Sequence, residues 1–225
     1  MIEIIATTVK DALEIEAGGA NRIELVSCLE VGGLTPSTEL IAEVIQAVKI
    51  PVHVIIRPHS RSFVYCDDEM IEMKKDIENA RMLGASGVVL GVLTSDHTVD
   101  TEKLESLLSV CQGLNVTFHR AIDETDVLSS VKVLAKYNEI TNILTSGGLA
   151  APVDQNTDVL KQMIEASGHI NILLGGGLTM ENVVDVAMKT AAKNFHFGSA
   201  ARTNGEVVKE NVELLRNKLK DLPKN

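Results

Sequence analysis

The sequence predicts a (β/α)8 TIM barrel, class α/β, built as one domain over residues 1–225. Three observations point to it. Short β-branched runs alternate with longer stretches of helical period, the texture of βαβ units around a parallel sheet. The alternation supplies eight strand candidates, and the strands carry charged residues on one face. Those polar strand faces favour a closed barrel over an open doubly wound sheet, which eight units would also permit. With 225 residues the barrel would be compact, since the fold typically takes roughly 250.

In chain order, strands are expected at Glu3–Ile5, Arg22–Val26, Val52–Arg57, Gly87–Val92, Asn115–His119, Asn142–Thr145, Asn171–Leu174 and Asn194–Phe197. The helices between them show apolar stripes at 3.6 spacing. In the second helix the stripe is Leu40, Ile41, Val44, Ile45 and Val48, with Thr35 as N-cap and Pro36 at the first helical position. The third carries Met70, Met73, Ile77 and Ala80, where Met fills core space rather than binding metal. The fourth carries Leu104, Leu107, Leu108 and Cys111, and the last Val208, Val212, Leu215 and Leu219. Gly18-Gly19, Gly84 and Gly168 follow helices and read as left-handed C-caps. The segments GGANRIEL, GASGVVLG and GHINILLGGG repeat one unit weakly. No Pro/Gly/Ser-rich linker marks a domain boundary.

Composition narrows the partners. A hydrophobic fraction of 45% supports a large core, and with aromatics at 3% and no Trp that core must be aliphatic. A net charge of −10 repels a phosphate backbone, which argues against nucleic-acid binding. An anionic ligand would need locally placed Arg, Lys or backbone N–H groups. No apolar run approaches the ~20 residues of a membrane span. The opening MIEIIATTVKDALEI carries acids where a signal peptide needs basic residues. The three cysteines, Cys28, Cys66 and Cys111, form no disulfide framework and no CxxC pair. A cytoplasmic, reducing location is expected, and a homodimer is the default assembly.

Alternation places Arg22 and Glu24, then His53 and Arg57, then Thr117 and His119, toward the barrel axis. Buried charges demand partners, and Glu24 with Arg57 is the leading expected pair, Glu3 with Arg22 the next. Glu24, Arg57 and His119 sit at strand C-terminal ends, where barrel sites are built, whereas Arg22 and His53 lie low and read as barrel filling. The following loops are rich in special residues: Cys28 to Ser37, Pro58 to Asp67, Arg120 to Asp123, Ser146 to Gly148, Gly175 to Gly177 and Gly198 to Arg202. Gly175, Gly176 and Gly177 after strand 7, with Gly198, Ser199 and a helix N-terminus after strand 8, fit either the common barrel phosphate site or ligand-free tight turns. Cys28 and Cys66 lie on neighbouring loops and His119 on strand 5, a set that suits Cu(I) only if it converges. Plain loop cysteines are the alternative.

The segments IELVSCLEVGGLTPS, IPVHVIIRPHSRSFVYCDDE, GVVLGVLTSDHTVD, VTFHRAIDE, ILTSGG and FHFGSAAR resemble the CutC family of copper homeostasis proteins, from the first strand to about Arg202. The resemblance implies a (β/α)8 barrel, usually oligomeric and cytoplasmic, concerned with copper binding and tolerance. Glu3, Glu24, Arg57, His119, Arg120, Asp123, Thr145, Ser146 and His196 match the family pattern. Departures are specific. Many members carry Cys at the ends of strands 1 and 2, where this chain has Ile5 and Val26. The family's Arg-Gly-Gly-Asp after Arg-Pro reads His59-Ser60-Arg61-Ser62 here, and its Tyr-Ser-Asp reads Tyr65-Cys66-Asp67.

Two functions follow as expectations. One is copper homeostasis, with Cu(I) at the C-terminal face and Cys28, Cys66 and His119 as ligands. The other is an enzyme on a small anionic or phosphorylated metabolite. There Glu24 or His119 would be acid or base and Arg57 and Arg120 would orient the ligand. Asp123 belongs to the same group, and the glycine loops with Ser199 would hold the anion.

Overall fold

The computed structural model describes residues 1–220. Eight parallel strands close into a barrel in chain order, β1 (Ile2–Ala6), β2 (Arg22–Leu25), β3 (Val52–Ile55), β4 (Gly87–Leu90), β5 (Asn115–Phe118), β6 (Ile140–Thr145), β7 (Asn171–Leu174) and β8 (Asn194–Phe197). Closure is made by β8 on β1, in the register Ile2 to Phe195, Glu3 to His196 and Ile4 to Phe197. The outer helices are α1 (Val9–Ala17), α2 (Thr38–Ala47), α3 (Asp67–Met82), α4 (Thr101–Leu108), α5 (Val127–Leu134), α6 (Thr157–Ala166), α7 (Val183–Thr190) and α8 (Lys209–Lys220). A hairpin, β9 (Arg202–Thr203) with β10 (Glu206–Val207), precedes α8 and has no counterpart in the sequence expectation.

The strands form where β-branched residues can pack outward against helices. Ile4, Ile23, Leu25, Val54, Val88 and Phe118 join the main core beneath the helix stripes. Met70, Met73, Ile77 and Ala80 are all buried along α3, as their spacing requires. Helix starts are fixed by side-chain acceptors: Thr8 takes the Asp11 N–H, Asp100 that of Lys103 and Asp126 that of Ser129. Each such cap stabilises by ~1 kcal/mol.

Several local expectations fail for identifiable reasons. α2 is capped by Ser37, not Thr35, because the Thr35 hydroxyl accepts the Arg57 N–H at 2.9 Å and so belongs to the end of β3. Gly18 is right-handed (φ −77°); Gly19 takes the left-handed position (φ +82°). What Gly18 provides is room, since a Cβ there would stand 2.4 Å from Cβ of Val212. The second, third, fourth and fifth strands stop one or two residues early, so Arg57, Gly91 and His119 begin the loops. β6 instead starts two residues early, at Ile140. Val208 precedes α8 and Cys111 follows α4, where it is buried with Sγ bonded to the Leu107 carbonyl.

Inside the barrel the polar layer is a pairing problem, and register solves it. Glu3 stands beside Arg22 on β2 and beside His196 on β8, and Glu24 stands beside His53 on β3. Above that layer Val26, Ile55 and Val89 form a small separate apolar cluster, with Ile5 and Leu29 packed on it.

Candidate active site

A cavity of ≈ 390 Å³ opens at the C-terminal ends of the strands. Its polar lining is Glu24, Arg57, His119, Arg120, Glu124 and His196, with Gly176, Gly177, Gly198 and Ser199 on the side of β7 and β8. A larger cavity, ≈ 990 Å³, lies at the opposite end between β1, β7, β8 and their helices, but among the described residues no carboxylate or imidazole side chain lines it. The chemistry is therefore concentrated at the C-terminal mouth, where barrels build their sites.

The floor of the mouth is a buried chain of ionisable groups. Arg22 Nε bonds Glu3 Oε2 at 2.5 Å, His196 Nδ1 bonds Glu3 Oε1 at 2.7 Å, and His196 Nε2 lies 3.6 Å from Glu24 Oε2. Burial would raise Glu3, but Arg22 and then His196 outweigh it and hold the carboxyl at about 2. Glu24 has no such direct partner. Burial, opposed by His196 and reinforced by the Glu3 carboxylate, lifts it to about 7. His196 is raised as well, because the two carboxylates outweigh its burial. Burial and the nearby Arg22 push His53 down to about 4.

The expected Glu24–Arg57 pair does not form. Arg57 leaves β3 and turns its Nη1 to the carbonyls of Val31 (3.1 Å) and Gly33 (3.2 Å), while its guanidinium lies 4.7 Å from the Phe63 ring centroid. Glu24 instead faces His196, whose strand flanks β1 on its other side. The Glu3–Arg22 pair is present.

His119 caps a 3-10 turn, Arg120–Glu124, and its Nδ1 accepts the Ala121 N–H at 3.2 Å. Its Nε2 is buried and has no partner among the described residues. The Phe63 ring stands 4.8 Å away, between His119 and Arg57. Burial and then Arg57 depress the imidazole to about 3. Gly91 makes the ring's position possible, since a Cβ there would lie 2.5 Å from Nδ1.

Arg120 is held from behind. Its Nε bonds Asp123 Oδ2 at 2.8 Å and its Nη2 bonds Ser146 Oγ at 3.2 Å. Asp123 does not line the cavity, because its two oxygens are occupied by Thr145, the Ser146 hydroxyl and amide, and the Gly148 amide. It acts on the mouth by positioning Arg120. The guanidinium lies against Gly176, whose added Cβ would come within 2.8 Å of Cζ. Gly176 and Gly177 are left-handed (φ +80° and +109°), and among the described residues their N–H groups bond no protein atom. Gly175 stays outside the lining and packs on Leu144 and His196. After β8 comes only a three-residue 3-10 turn, Ser199–Ala201, not the expected helix N-terminus.

The copper-ligand set is not gathered. Cys28 and Cys66 are exposed, and neither lines the cavity. Cys66 instead stands at the N-cap of α3, where its N–H bonds Glu69 at 2.8 Å. Among the described residues no three His, Cys, Asp or Glu side chains converge on one metal ion. Ile5 and Val26, at the positions of the family cysteines, belong to the apolar cluster beside the mouth. Sequence reasoning missed Phe63, Gly91 and Glu124 as site residues. It treated His196 only as a family position and Glu3 as a partner for Arg22, not as part of the site. The glycine closing GVVLG was the one local signal for Gly91.

Comparison with known proteins agrees with the resemblance. The model of the CutC family matches residues 1–201. A copper homeostasis protein cutC homolog of Homo sapiens is 39% identical over 198 residues, covering 87% of this chain and 72% of the relative. A CutC family protein of Enterococcus faecalis is 43% identical over 175 residues, covering 75% and 84%. The solved structure of CutC from Streptococcus agalactiae superposes with a TM-score of 0.83 at 36% identity, over 88% of this chain and 98% of that one. Phosphoribosyl anthranilate isomerase from Thermococcus kodakaraensis superposes with a TM-score of 0.67 at 17% identity, over 98% of each chain, and shares the fold alone.

Proposed function

This chain belongs to the CutC family of copper homeostasis proteins, and from that premise we propose that its barrel mouth is an acid–base site for a small anionic, phosphorylated metabolite. The observation that carries the proposal is that Glu24 and two guanidiniums line one cavity. Glu24 titrates near 7, where a general base is most effective. Arg57 and Arg120 line the same space, as do Gly176 and Gly177, whose N–H groups are unused among the described residues. Arg120 Nη1, unused among the described residues, is the natural contact for an oxyanion.

A thermal-shift panel of phosphorylated and carboxylated metabolites tests this. A ligand present at 100 times its Kd stabilises by about 2.7 kcal/mol, enough to raise Tm measurably. At least one phosphorylated compound should raise Tm in the wild type and not in Arg120→Met. A flat response across the panel contradicts the reading.

The relatives' name favours a second reading, with Cu(I) as the cargo. The cavity itself does not fit Cu(I), which seeks thiolate or thioether donors. Among the described residues no sulfur lines it, Ile5 and Val26 put hydrocarbon at the positions of the family cysteines, and two arginines bring positive charge. Copper would instead sit on the exposed Cys28 and Cys66 at the rim. A Cu(I) titration against a competing chelator, beside Cys28→Ser/Cys66→Ser, decides. Tight binding lost in the double variant supports it, and weak binding equal in both rejects it. Three free cysteines support a reducing, cytoplasmic location on either reading.

A further inference from the structure

We propose that the mouth forms an enolate. His119 presents its Nε2–H to a substrate carbonyl oxygen while Glu24 removes a proton from the neighbouring carbon. This rests on the reading of the mouth as an anion-binding acid–base site, and it names the substrate class: a phosphorylated aldehyde or ketone with an acidic α-hydrogen.

Nδ1 of His119 accepts the Ala121 N–H, so the ring proton is assigned to Nε2. His119 lines the cavity, and its Nε2 is buried and bonds nothing among the described residues. An unpaired buried donor is destabilising, a cost folding tolerates where a ligand will use the group. The ring cannot easily turn away, because Gly91 and Phe63 enclose it. With its pKa at about 3 it stays a neutral imidazole through the physiological range. A neutral imidazole N–H supports a developing oxyanion without surrendering its proton, and in a dry site one such donor is worth much more than in water.

Glu24 stands on β2 and His119 directly follows β5, three strands on, and both line the one cavity. The groups bearing on it are His196 from β8, Glu3 from β1 and Arg22 from its own strand. The step balances without another reagent. The Glu24 carboxylate takes the α-proton, the C–H electron pair becomes the new C=C bond, and the carbonyl π pair moves onto oxygen. That oxygen accepts from His119 Nε2–H. Glu24, now protonated, returns the proton to carbon. The anionic group of the substrate meanwhile occupies the Arg120 and Gly176–Gly177 side.

Two probes separate this step from anion binding. Phosphoglycolohydroxamate carries a planar enediolate-like oxyanion and a phosphate, whereas glycerol 3-phosphate carries the phosphate alone. The hydroxamate should bind the wild type about tenfold tighter or more, the effect of one preorganised donor on an oxyanion. That preference should vanish in His119→Ala and return in part in His119→Gln. In the wild type the Nε2–H proton signal of His119 should move downfield on binding the hydroxamate. Equal affinity for the two probes overturns the enolate step and leaves the anion site standing. So does a preference that survives His119→Ala with the Nε2–H signal unmoved. Binding of neither probe overturns both.

Discussion

Nδ1 of His196 lies 2.7 Å from Oε1 of Glu3, a contact between β8 and β1 that closes the barrel and aims the other ring nitrogen at Glu24. Barrel closure and the tuning of the candidate base are thus one interaction. Glu3 fixes the imidazole, the imidazole moderates Glu24, and burial still leaves Glu24 near 7. A raised carboxyl pKa stabilises the fold fully below its unfolded value of 4.5, and that contribution is lost as pH rises through 7.

Glu24→Gln should therefore be increasingly more stable than the wild type as pH rises from 4.5 to above 7. The difference should reach about 3 kcal/mol, the linkage value of such a shift. Urea unfolding of both proteins between pH 4 and 9 measures it. A stability difference independent of pH contradicts the ionisation assigned to Glu24.

Glu3 has the opposite sign. Its depressed pKa gives stability that is present above 4.5 and lost as pH falls through 2. Arg22→Met removes one partner of a buried pair and should cost about 3–5 kcal/mol at pH 7. The penalty should shrink below pH 4, where the unpaired Glu3 takes a proton. Chemical denaturation at pH 7 and pH 3.5 checks both.

Gly91→Ala should displace His119, because the new Cβ would stand 2.5 Å from its Nδ1. Overpacking of this kind costs about 1–3 kcal/mol. The histidine side-chain NMR signals should report a changed His119 environment, while far-UV circular dichroism stays that of the wild type.

Asp123→Asn should loosen Arg120 and the loop after β6 together, since one carboxylate accepts from Arg120, Thr145, Ser146 and Gly148. Anion affinity should fall by about tenfold, as expected when a charge-assisted contact loses its anchor. Calorimetric titration with inorganic phosphate measures it, and unchanged affinity removes Asp123 from the positioning role.

Much of the fold was legible because parallel strands and amphipathic helices have local signatures. The α3 stripe of Met70, Met73, Ile77 and Ala80 needed nothing but spacing. The axis-facing set Arg22, Glu24, His53 and His119 also followed from alternation, and all four are buried. Partner choice was not local. Glu24 meets His196 rather than Arg57 because barrel closure brings β8 to β1, 193 residues apart in sequence at Glu3 and His196. Arg57 turns away because loop carbonyls at Val31 and Gly33, which no periodicity reveals, accept its N–H groups. Cys28, Cys66 and His119 follow neighbouring strands or share one barrel end, yet strand order does not say which way a loop side chain turns.

The most direct test of the acid–base anion site is a map of backbone amide and arginine side-chain NMR signals while inorganic phosphate is added to the wild-type protein. The account predicts that Gly176, Gly177, Ser199 and the Arg120 guanidinium shift together and saturably, with Cys28 and Cys66 unmoved. Phosphate that leaves the mouth signals in place, together with Cu(I) that shifts them, would contradict it.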